Sequence, residues 1–306
     1  MLFLEQVLNG FQLGVLLFLV ASGLTLVFGI MNVINLAHGS LYMLGAFFLA
    51  SFSHWTDSFF LGLLFTLPCC FAVGFALEQL IIKRLYQRDH LDQVLATFGI
   101  ILFSNELVRL IWGASGLDVD VPPLLAGTIE LIPGLGYSSY RLAIIAVGIV
   151  VALGLYIVIH KTRLGMLIRA GASNKETIYA LGINIHLLYS LVFALGAMLA
   201  GLAGAIAAPM LSVEIGMGED ILILTLVVIV IGGMGSIKGT IIAALLLGQI
   251  DTLGRAFLPN LLQQFMPDNF AATLAPSLSS TSIYFVMIFI LVVKPQGLFS
   301  AVGENK

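Results

Sequence analysis

The sequence predicts an all-α polytopic membrane protein with about eight or nine transmembrane helices. Sixty per cent of its 306 residues are hydrophobic, only nine per cent are charged, and the mean hydropathy is +1.10. Soluble domains carry about a quarter charged residues, so this composition excludes an ordinary globular fold. The apolar residues also form runs of about 20, which is the length that an α-helix needs to cross the hydrocarbon core.

The apolar runs follow one another with short breaks, and we interpret the whole chain, 1–306, as a single membrane domain. The sixth run is dense in glycine and alanine, which allow close helix packing in lipid, so we expect it to be buried in the bundle. The seventh and ninth runs are short. In chain order the predicted spans are 6–29, 34–53, 59–82, 93–112, 140–159, 184–207, 217–233, 237–257 and 278–293.

The cationic residues give the predicted orientation. Nine spans place ten of the 13 Lys and Arg on one side, and only Arg109, Arg141 and Arg255 on the other. Cytoplasmic loops are enriched in Lys and Arg, so the ten-residue side is predicted to be cytoplasmic. The C-terminus is then in the cytoplasm, and the N-terminus is placed outside only by the odd number of spans, because no Lys or Arg precedes Lys83. The ten are Lys83, Arg84, Arg88, Lys161, Arg163, Arg169, Lys175, Lys238, Lys294 and Lys306.

The longest charged interruption is the predicted cytoplasmic segment 161–183, KTRLGMLIRAGASNKETIYALGI. Its apolar residues keep helical spacing, which a plain solvated loop would not need. Asn174 marks a helix start and Gly182 a helix stop. The pattern therefore predicts two short amphipathic helices that lie either on lipid headgroups or in a groove of a soluble partner.

Two long connections are predicted on the outer side. Residues 113–139 hold Pro122, Pro123 and Pro133, and the strand-like TIELI at 128–132 precedes a Pro-Gly turn, which predicts a small hairpin. Residues 258–277 hold Pro259, Pro267 and Pro276 and are interpreted as a second outer loop.

A polar run lies between the first two spans, at a depth where polar side chains are rare. Asn32, Asn35 and His38 recur every three residues and share one face if the run is helical. They either line a transport path or brace a broken helix whose freed backbone groups need partners. Ser22 and Thr25, one turn apart in the first span, are further path candidates, although membrane hydroxyls also bond to neighbouring helices.

Other charged residues and motifs offer no catalytic site. Glu106–Arg109 and Asp251–Arg255 have the spacing of local ion pairs, and Glu78 is expected within reach of Lys83 or another basic neighbour. The sequence has no G-x-x-x-x-G-K-[ST] loop for ATP and no metal-binding cluster, so no catalytic residue, metal or cofactor is expected in this chain. A relay of buried carboxylates or histidines is also missing, which argues against an ion-coupled carrier.

Three stretches in order resemble one family, the LivH-type permeases of bacterial branched-chain amino acid ABC transporters. The stretches are GLTLVFGIMNVINLAHGSLYMLGAF at 23–47, TRLGMLIRAGASNKETIYALGINI at 162–185 and VVIVIGGMGSIKGTIIAALLLG at 227–248, followed by KPQGLF at 294–299. The resemblance covers essentially the whole chain. Lys238 departs from the neutral residue that is frequent in the family.

The resemblance implies a transport subunit of the bacterial inner membrane that is not itself an enzyme. Such permeases pair with a second, related permease, two cytoplasmic ATPases that bind ATP and Mg²⁺, and a periplasmic substrate-binding protein. The cytoplasmic segment would then couple to the ATPases. The residues expected to do so are Arg163, Leu164, Leu167, Ile168, Arg169 and Asn174.

The substrate stays open at this point. Leucine, isoleucine and valine are the default of the family, which also serves urea, amides and aromatic acids. A sugar permease of the same superfamily and an ion-coupled secondary carrier are the alternatives, and no charged residue is obviously placed to hold a zwitterion.

Overall fold

The computed structural model describes residues 2–33, 35–173 and 184–299, and these form a helical bundle with one small hairpin. Ten α-helices are described, and their bounds are α1 Leu2–Met31, α2 His38–Thr56, α3 Phe59–Leu80, α4 His90–Trp112, α5 Ser139–Lys161, α6 Arg163–Ser173, α7 Ile185–Ala207, α8 Met217–Gly232, α9 Ile237–Leu262 and α10 Asp268–Val293.

Nine of these helices correspond to the nine predicted spans, and α6 is the first of the two predicted amphipathic helices. Seven are long and apolar enough to cross a membrane, namely α1, α3, α4, α5, α7, α9 and α10, the α7 span running on through a 3-10 turn to Met210. The other two are α2 and the short α8, which has 16 residues. The second amphipathic helix, predicted over 174–183, lies outside the described residues.

Four boundaries differ from the prediction by four residues or more: α1 begins at Leu2 and not at residue 6, α9 ends at Leu262 and not at residue 257, and the starts of α2 and α10 also differ. The second span begins at His38, after the non-helical residues Asn32, Val33 and 35–37, and not at residue 34. The last helix begins at Asp268 and not at residue 278, so most of the predicted outer loop 258–277 is helical. The reason is that Pro259 and Pro276 lie inside α9 and α10, and only Pro267 stands at a helix boundary. Proline is tolerated within transmembrane helices, where neighbouring groups satisfy the freed backbone.

Helix α1 is the centre of the bundle. It packs along α9 and α7 and also contacts α5 and α8, while α2 packs against α7, α3 and α8. Most of the apolar length of α1 and α7 is buried, as the small residues of the sixth run predicted. In contrast α3, α4, α5, α9 and α10 bury less than a third of theirs, and their outward leucines and phenylalanines form the apolar surface that lipid requires.

Glycine contacts bring the central helices together. A Cβ atom added to Gly23 on α1 would lie 2.5 Å from the carbonyl oxygen of Gly196 on α7. A Cβ atom on Gly45 of α2 would collide with the backbone of Gly201, which also lies on α7. Lipid supplies no hydrophobic force between helices, so this close backbone packing is what holds α7 in the centre.

The connection between α4 and α5 contains the predicted hairpin, which the structure confirms. Strand β1, Thr128–Ile132, pairs antiparallel with β2, Leu135–Ser138. A bridge between Leu117 and Val213 ties the same connection to the segment that follows α7. We call this end of the bundle, which holds the hairpin, the start of α1 and the end of α9, the hairpin end.

The opposite end, formed by the last turns of α1 and α5, by α6 and by the first turn of α9, is called the basic end. The described residues of the ten-member cationic group lie on this side, in α6 or at and between helix ends, such as Lys161 at the end of α5 and Lys238 in the first turn of α9. Main-chain hydrogen bonds from Leu298 and Phe299 to Ile231 and Gly232 attach the segment after Lys294 here. The predicted segregation of charge therefore holds for the described residues.

Candidate functional site

The polar run after α1 forms a break that turns back into the bundle. Asn32 has a left-handed backbone, with φ of +53°, so Asn32, Asn35 and His38 do not share a helix face. The chain returns along α1, and His38 Nε2 lies 3.0 Å from the carbonyl oxygen of Val20. The side chain of Asn35 accepts a hydrogen bond from the backbone of Ala37 at 3.1 Å. Asn35 and His38 are buried and bonded to main-chain groups, whereas Asn32 is exposed.

The two hydroxyl candidates on α1 separate in the structure. Ser22 donates to the carbonyl oxygen of Leu19 in its own helix at 2.9 Å. Thr25 lies 2.8 Å from the hydroxyl oxygen of Thr240 on α9 and also faces a cavity. Of the five path candidates, Thr25 alone lines either of the two pockets described below.

One pocket lies at the basic end and is called the basic pocket. It has a volume of about 350 Å³ and three basic side chains at its wall, His160, Arg169 and Lys238. The ring of His160 stacks on Tyr156 with centroids 4.5 Å apart. The remaining wall is mostly apolar and comes from Thr25, Leu26, Gly29, Ile30, Ala152, Tyr156, Ile159, Ile168, Gly235, Ser236, Ile237, Ile241 and Phe299.

A second pocket lies at the hairpin end and is called the polar pocket. Its volume is about 650 Å³, and its polar wall consists of Gln6, Asn9, Gln12, Arg141, Asp251, Thr252 and Arg255. The apolar wall consists of Leu13, Leu16, Ala207, Met210, Leu211 and Ala256. Both volumes are in the range of about 300–1,000 Å³ that is typical of sites for small molecules.

Helices α1, α5 and α9 contribute to both pockets. The first half of α1, the start of α5, the end of α9 and the end of α7 line the polar pocket. The opposite ends of α1, α5 and α9, together with α6 and Phe299, line the basic pocket. Between them the helices touch, because Val15 packs against Gly148 of α5 and Gly14 against the backbone of Leu245 of α9. The bundle therefore has one cavity at each end of a single helix interface, with packed side chains between.

The residues of α6 that are predicted to couple to a partner lie on two faces of the helix, one exposed and one turned toward the bundle. Arg163 and Leu164 are exposed, as is Met166, which the sequence reasoning did not select. Ile168 is buried and Leu167 packs against the core of the bundle, so these two are not free to anchor a partner in this arrangement. Arg169 also turns inward and donates to the carbonyl oxygen of Ile159 at the end of α5. Asn174 lies outside the described residues.

Glu78 is the one carboxylate that is fully buried among the described residues, and its partners differ from those predicted. It was expected within reach of Lys83 or another basic neighbour, but it accepts hydrogen bonds from the hydroxyls of Tyr86 and Ser190. Gln79 in turn donates to Ser190 at 2.7 Å. Burial, and after it the hydrogen bond to Glu78, raise the pKa of Tyr86 above its usual value. The network ties α3, the turn after it and the start of α7 together at the basic end.

Three charged residues of the polar pocket were missed as site residues. Asp251 and Arg255 were interpreted as a local ion pair, and the structure confirms that pair at 2.9 Å, as it does Glu106–Arg109 at 2.8 Å. Spacing in sequence could not show that Arg141 of α5 faces the same cavity. Within the described part of the chain no group of three His, Cys, Asp or Glu is arranged to hold a metal ion.

The chain is similar to known permeases over most of its length. It is 30% identical over 272 residues to the high-affinity branched-chain amino acid transport system permease protein BraD of Pseudomonas aeruginosa, covering 82% of this chain and 86% of the relative. It is equally similar to LivH of Escherichia coli K12, with 84% and 87% covered. The probable permease protein LivH of Methanocaldococcus jannaschii is 26% identical over 250 residues, with 78% and 76% covered. No solved structure matches the chain.

The family model described as "Branched-chain amino acid transport system / permease component" matches residues 6–291, which is almost the whole bundle. With the long apolar helices and the cavities at both ends of one helix interface, this match identifies the chain as a multi-pass membrane protein and a permease subunit of the branched-chain amino acid transport family.

Proposed function

We propose that this chain moves branched-chain amino acids across the bacterial inner membrane as the permease subunit of an ATP-driven importer. The observation that carries the proposal is the pair of pockets at opposite ends of the α1–α5–α9 interface. A transporter must offer its substrate a site that opens to each side in turn. A cavity at each end of one packed interface meets that need with small movements of three helices.

The orientation follows from the distribution of charge. Lys and Arg are concentrated at the basic end, so this end faces the cytoplasm and the hairpin end faces the periplasm. The N-terminus is then periplasmic and the C-terminus cytoplasmic. The polar pocket receives the substrate from a periplasmic binding protein, and the basic pocket releases it into the cytoplasm.

The energy comes from two separate cytoplasmic ATPases, which bind ATP and Mg²⁺, and a second, related permease completes the membrane part. Helix α6 is the element through which the ATPases act. Its outward residues Arg163, Leu164 and Met166 are free to contact a partner, while Ile168 and Arg169 of the same helix line the basic pocket. A push on α6 is therefore transmitted directly to the cytoplasmic cavity and, through Arg169 and Ile159, to the end of α5.

The test is copurification and transport by the complete complex. We expect the tagged chain to bring down a second permease and two ATPases in mild detergent, and vesicles containing the complex to take up leucine only when ATP and the binding protein are supplied. Met166→Glu adds a charge to the exposed face of α6 and should release the ATPases and stop uptake. Leu124→Glu is the matched control, because Leu124 is also an exposed apolar residue but lies at the hairpin end.

Uptake that continues without ATP, and that a protonophore abolishes, would contradict the proposal and favour an ion-coupled carrier. ATP-driven uptake of urea, amides or aromatic acids in place of leucine would keep the mechanism and change the substrate. If the Met166→Glu variant retained both the ATPases and transport, the proposal that α6 couples the permease to the ATPases would be wrong.

A further inference from the structure

The polar pocket carries more charge than a passage for aliphatic side chains requires. Its wall combines two guanidinium groups, from Arg141 and Arg255, with the carboxylate of Asp251. Leu13, Leu16 and Met210 form an apolar wall in the same cavity. Positive, negative and apolar groups therefore surround one space.

The two arginines differ in their partners. Arg255 Nε lies 2.9 Å from both carboxylate oxygens of Asp251, and Arg255 Nη2 donates to Ser280 at 3.1 Å. Arg141 instead donates to the neutral side chain of Asn9, whose oxygen also accepts a hydrogen bond from Tyr137 at 3.1 Å. Among the described residues no carboxylate lies within ion-pair distance of Arg141. Its guanidinium is thus held in place by neutral partners.

Asp251 is the more enclosed member of its pair. Its side chain is 13% exposed, against 54% for Arg255. Arg255 is the exposed partner, so its guanidinium can turn toward solvent while Asp251 stays in the wall of the pocket. The carboxylate of Asp251 can therefore exchange part of its pairing with Arg255 for another cation that enters the pocket.

We propose that the polar pocket is a binding site for a zwitterionic α-amino acid, in which Arg141 binds the carboxylate and Asp251 the ammonium group. The aliphatic side chain lies against Leu13, Leu16 and Met210. A guanidinium matches a carboxylate with two parallel hydrogen bonds, which a point charge cannot do. This inference rests on the proposed function and adds to it that the permease itself, and not only its binding protein, selects for both charges of the substrate.

The experiment measures protection of a cysteine in the pocket. Thr252→Cys, in a chain whose Cys69 and Cys70 are replaced by alanine, is labelled in the complete complex with a maleimide that does not cross the membrane. We expect millimolar L-leucine to slow labelling about tenfold. Isoamylamine, which lacks the carboxylate, and 4-methylpentanoate, which lacks the ammonium group, should have no effect at the same concentration.

Variants test the two charged contacts. Arg141→Gln and Asp251→Asn should each abolish protection by leucine, while Arg141→Lys should retain a part of it because the charge is kept. Arg109→Gln is the matched control, since Arg109 forms the other local ion pair but lies outside the pocket. Ser115→Cys places the label at an exposed position in the connection between α4 and α5, outside the pocket, and this cysteine should be labelled at one rate with or without leucine.

The same vesicles are scored for ATP-dependent leucine uptake, which separates this proposal from the proposed function. Uptake without protection, or protection that survives both Arg141→Gln and Asp251→Asn, would contradict the proposal that the polar pocket binds the amino acid. The proposed importer function would be unaffected. Protection by isoamylamine or 4-methylpentanoate equal to that by leucine would likewise contradict the proposal for the polar pocket. Protection without ATP-dependent uptake would support the pocket and contradict the proposed source of energy.

Discussion

The imidazole Nε2 of His38 donates a hydrogen bond to the main-chain carbonyl oxygen of Val20 across 3.0 Å, which fixes the start of α2 beside the middle of α1. A carbonyl oxygen can only accept, so the contact requires the hydrogen on Nε2. The chain between α1 and α2 is not helical, and a broken helix persists at this depth only where protein groups satisfy it.

Loss of the His38 side chain should destabilise the bundle. His38→Ala removes a buried hydrogen bond and leaves a void, at a cost of about 1–3 kcal/mol. Thermal unfolding in detergent would show a lower midpoint. His54→Ala, at the exposed end of α2, is the control and should unfold as the unmodified protein does. Equal midpoints for both variants would mean that the break does not depend on this contact.

The hydrogen bond between Thr25 and Thr240 should stabilise the fold only slightly, and its donor can be assigned. Thr240 donates to the carbonyl oxygen of Ser236 at 2.9 Å, so its single hydroxyl hydrogen is used and Thr25 is the donor to Thr240. A double-mutant cycle with Thr25→Val and Thr240→Val should give a coupling of about 0.6 kcal/mol, and no more than about 1.7.

The control for that cycle is Thr281→Val combined with Thr25→Val. Thr281 is exposed on α10 and donates within its own helix to Ser277 at 2.6 Å, so this pair should show no coupling. A coupling near zero for Thr25 and Thr240 as well would mean that the hydroxyls do not interact in lipid.

The glycine at the contact between α2 and α7 should tolerate no added atom. Gly45→Ala places a Cβ atom against the backbone of Gly201, which cannot yield without moving a helix. We expect a clear fall in melting temperature and in the yield of folded protein. Gly99→Ala on α4 meets no atom within 4 Å and should stabilise the protein by up to about 1 kcal/mol, because alanine favours the helix. Two similar melting temperatures would contradict the packing described.

The hydrogen bond from Tyr86 to Glu78 should make stability depend on pH in the alkaline range. Burial raises the pKa of Tyr86 in the folded state above that of an unfolded tyrosine, which is about 10. The contribution is therefore complete below about pH 10 and is lost as the pH rises toward the higher pKa of the folded state. The unfolding free energy, measured from pH 8 to pH 11, should fall above pH 10.

Tyr86→Phe should be less stable at pH 8 and should lose less stability between pH 8 and pH 11 than the unmodified protein. Tyr284→Phe, an exposed position on α10, should keep the decline of the unmodified protein. If the unfolding free energy of Tyr86→Phe fell with pH as steeply as that of the unmodified chain, the predicted role of Tyr86 would be wrong.

Periodicity and charge in the sequence determined the architecture. The length of each apolar run is fixed by the bilayer, the glycine-rich sixth run must be buried because close packing drives helix association, and Lys and Arg segregate to one side. These properties are local to each segment, which is why nine helices, the amphipathic α6, the hairpin at 128–138 and both ion pairs could be predicted. The three stretches at 23–47, 162–185 and 227–248 likewise predicted the family.

Only the tertiary structure decided which side chains share a space. His38 contacts Val20 of α1, Glu78 meets Tyr86 and Ser190, and Arg141 reaches the same cavity as Asp251 although 110 positions separate them in the chain. Such neighbours are set by helix tilt, by the break after α1 and by glycine contacts between helices that are distant in sequence. None of these leaves a periodic signal, because each depends on the distance between two backbones and not on the order of residues within one.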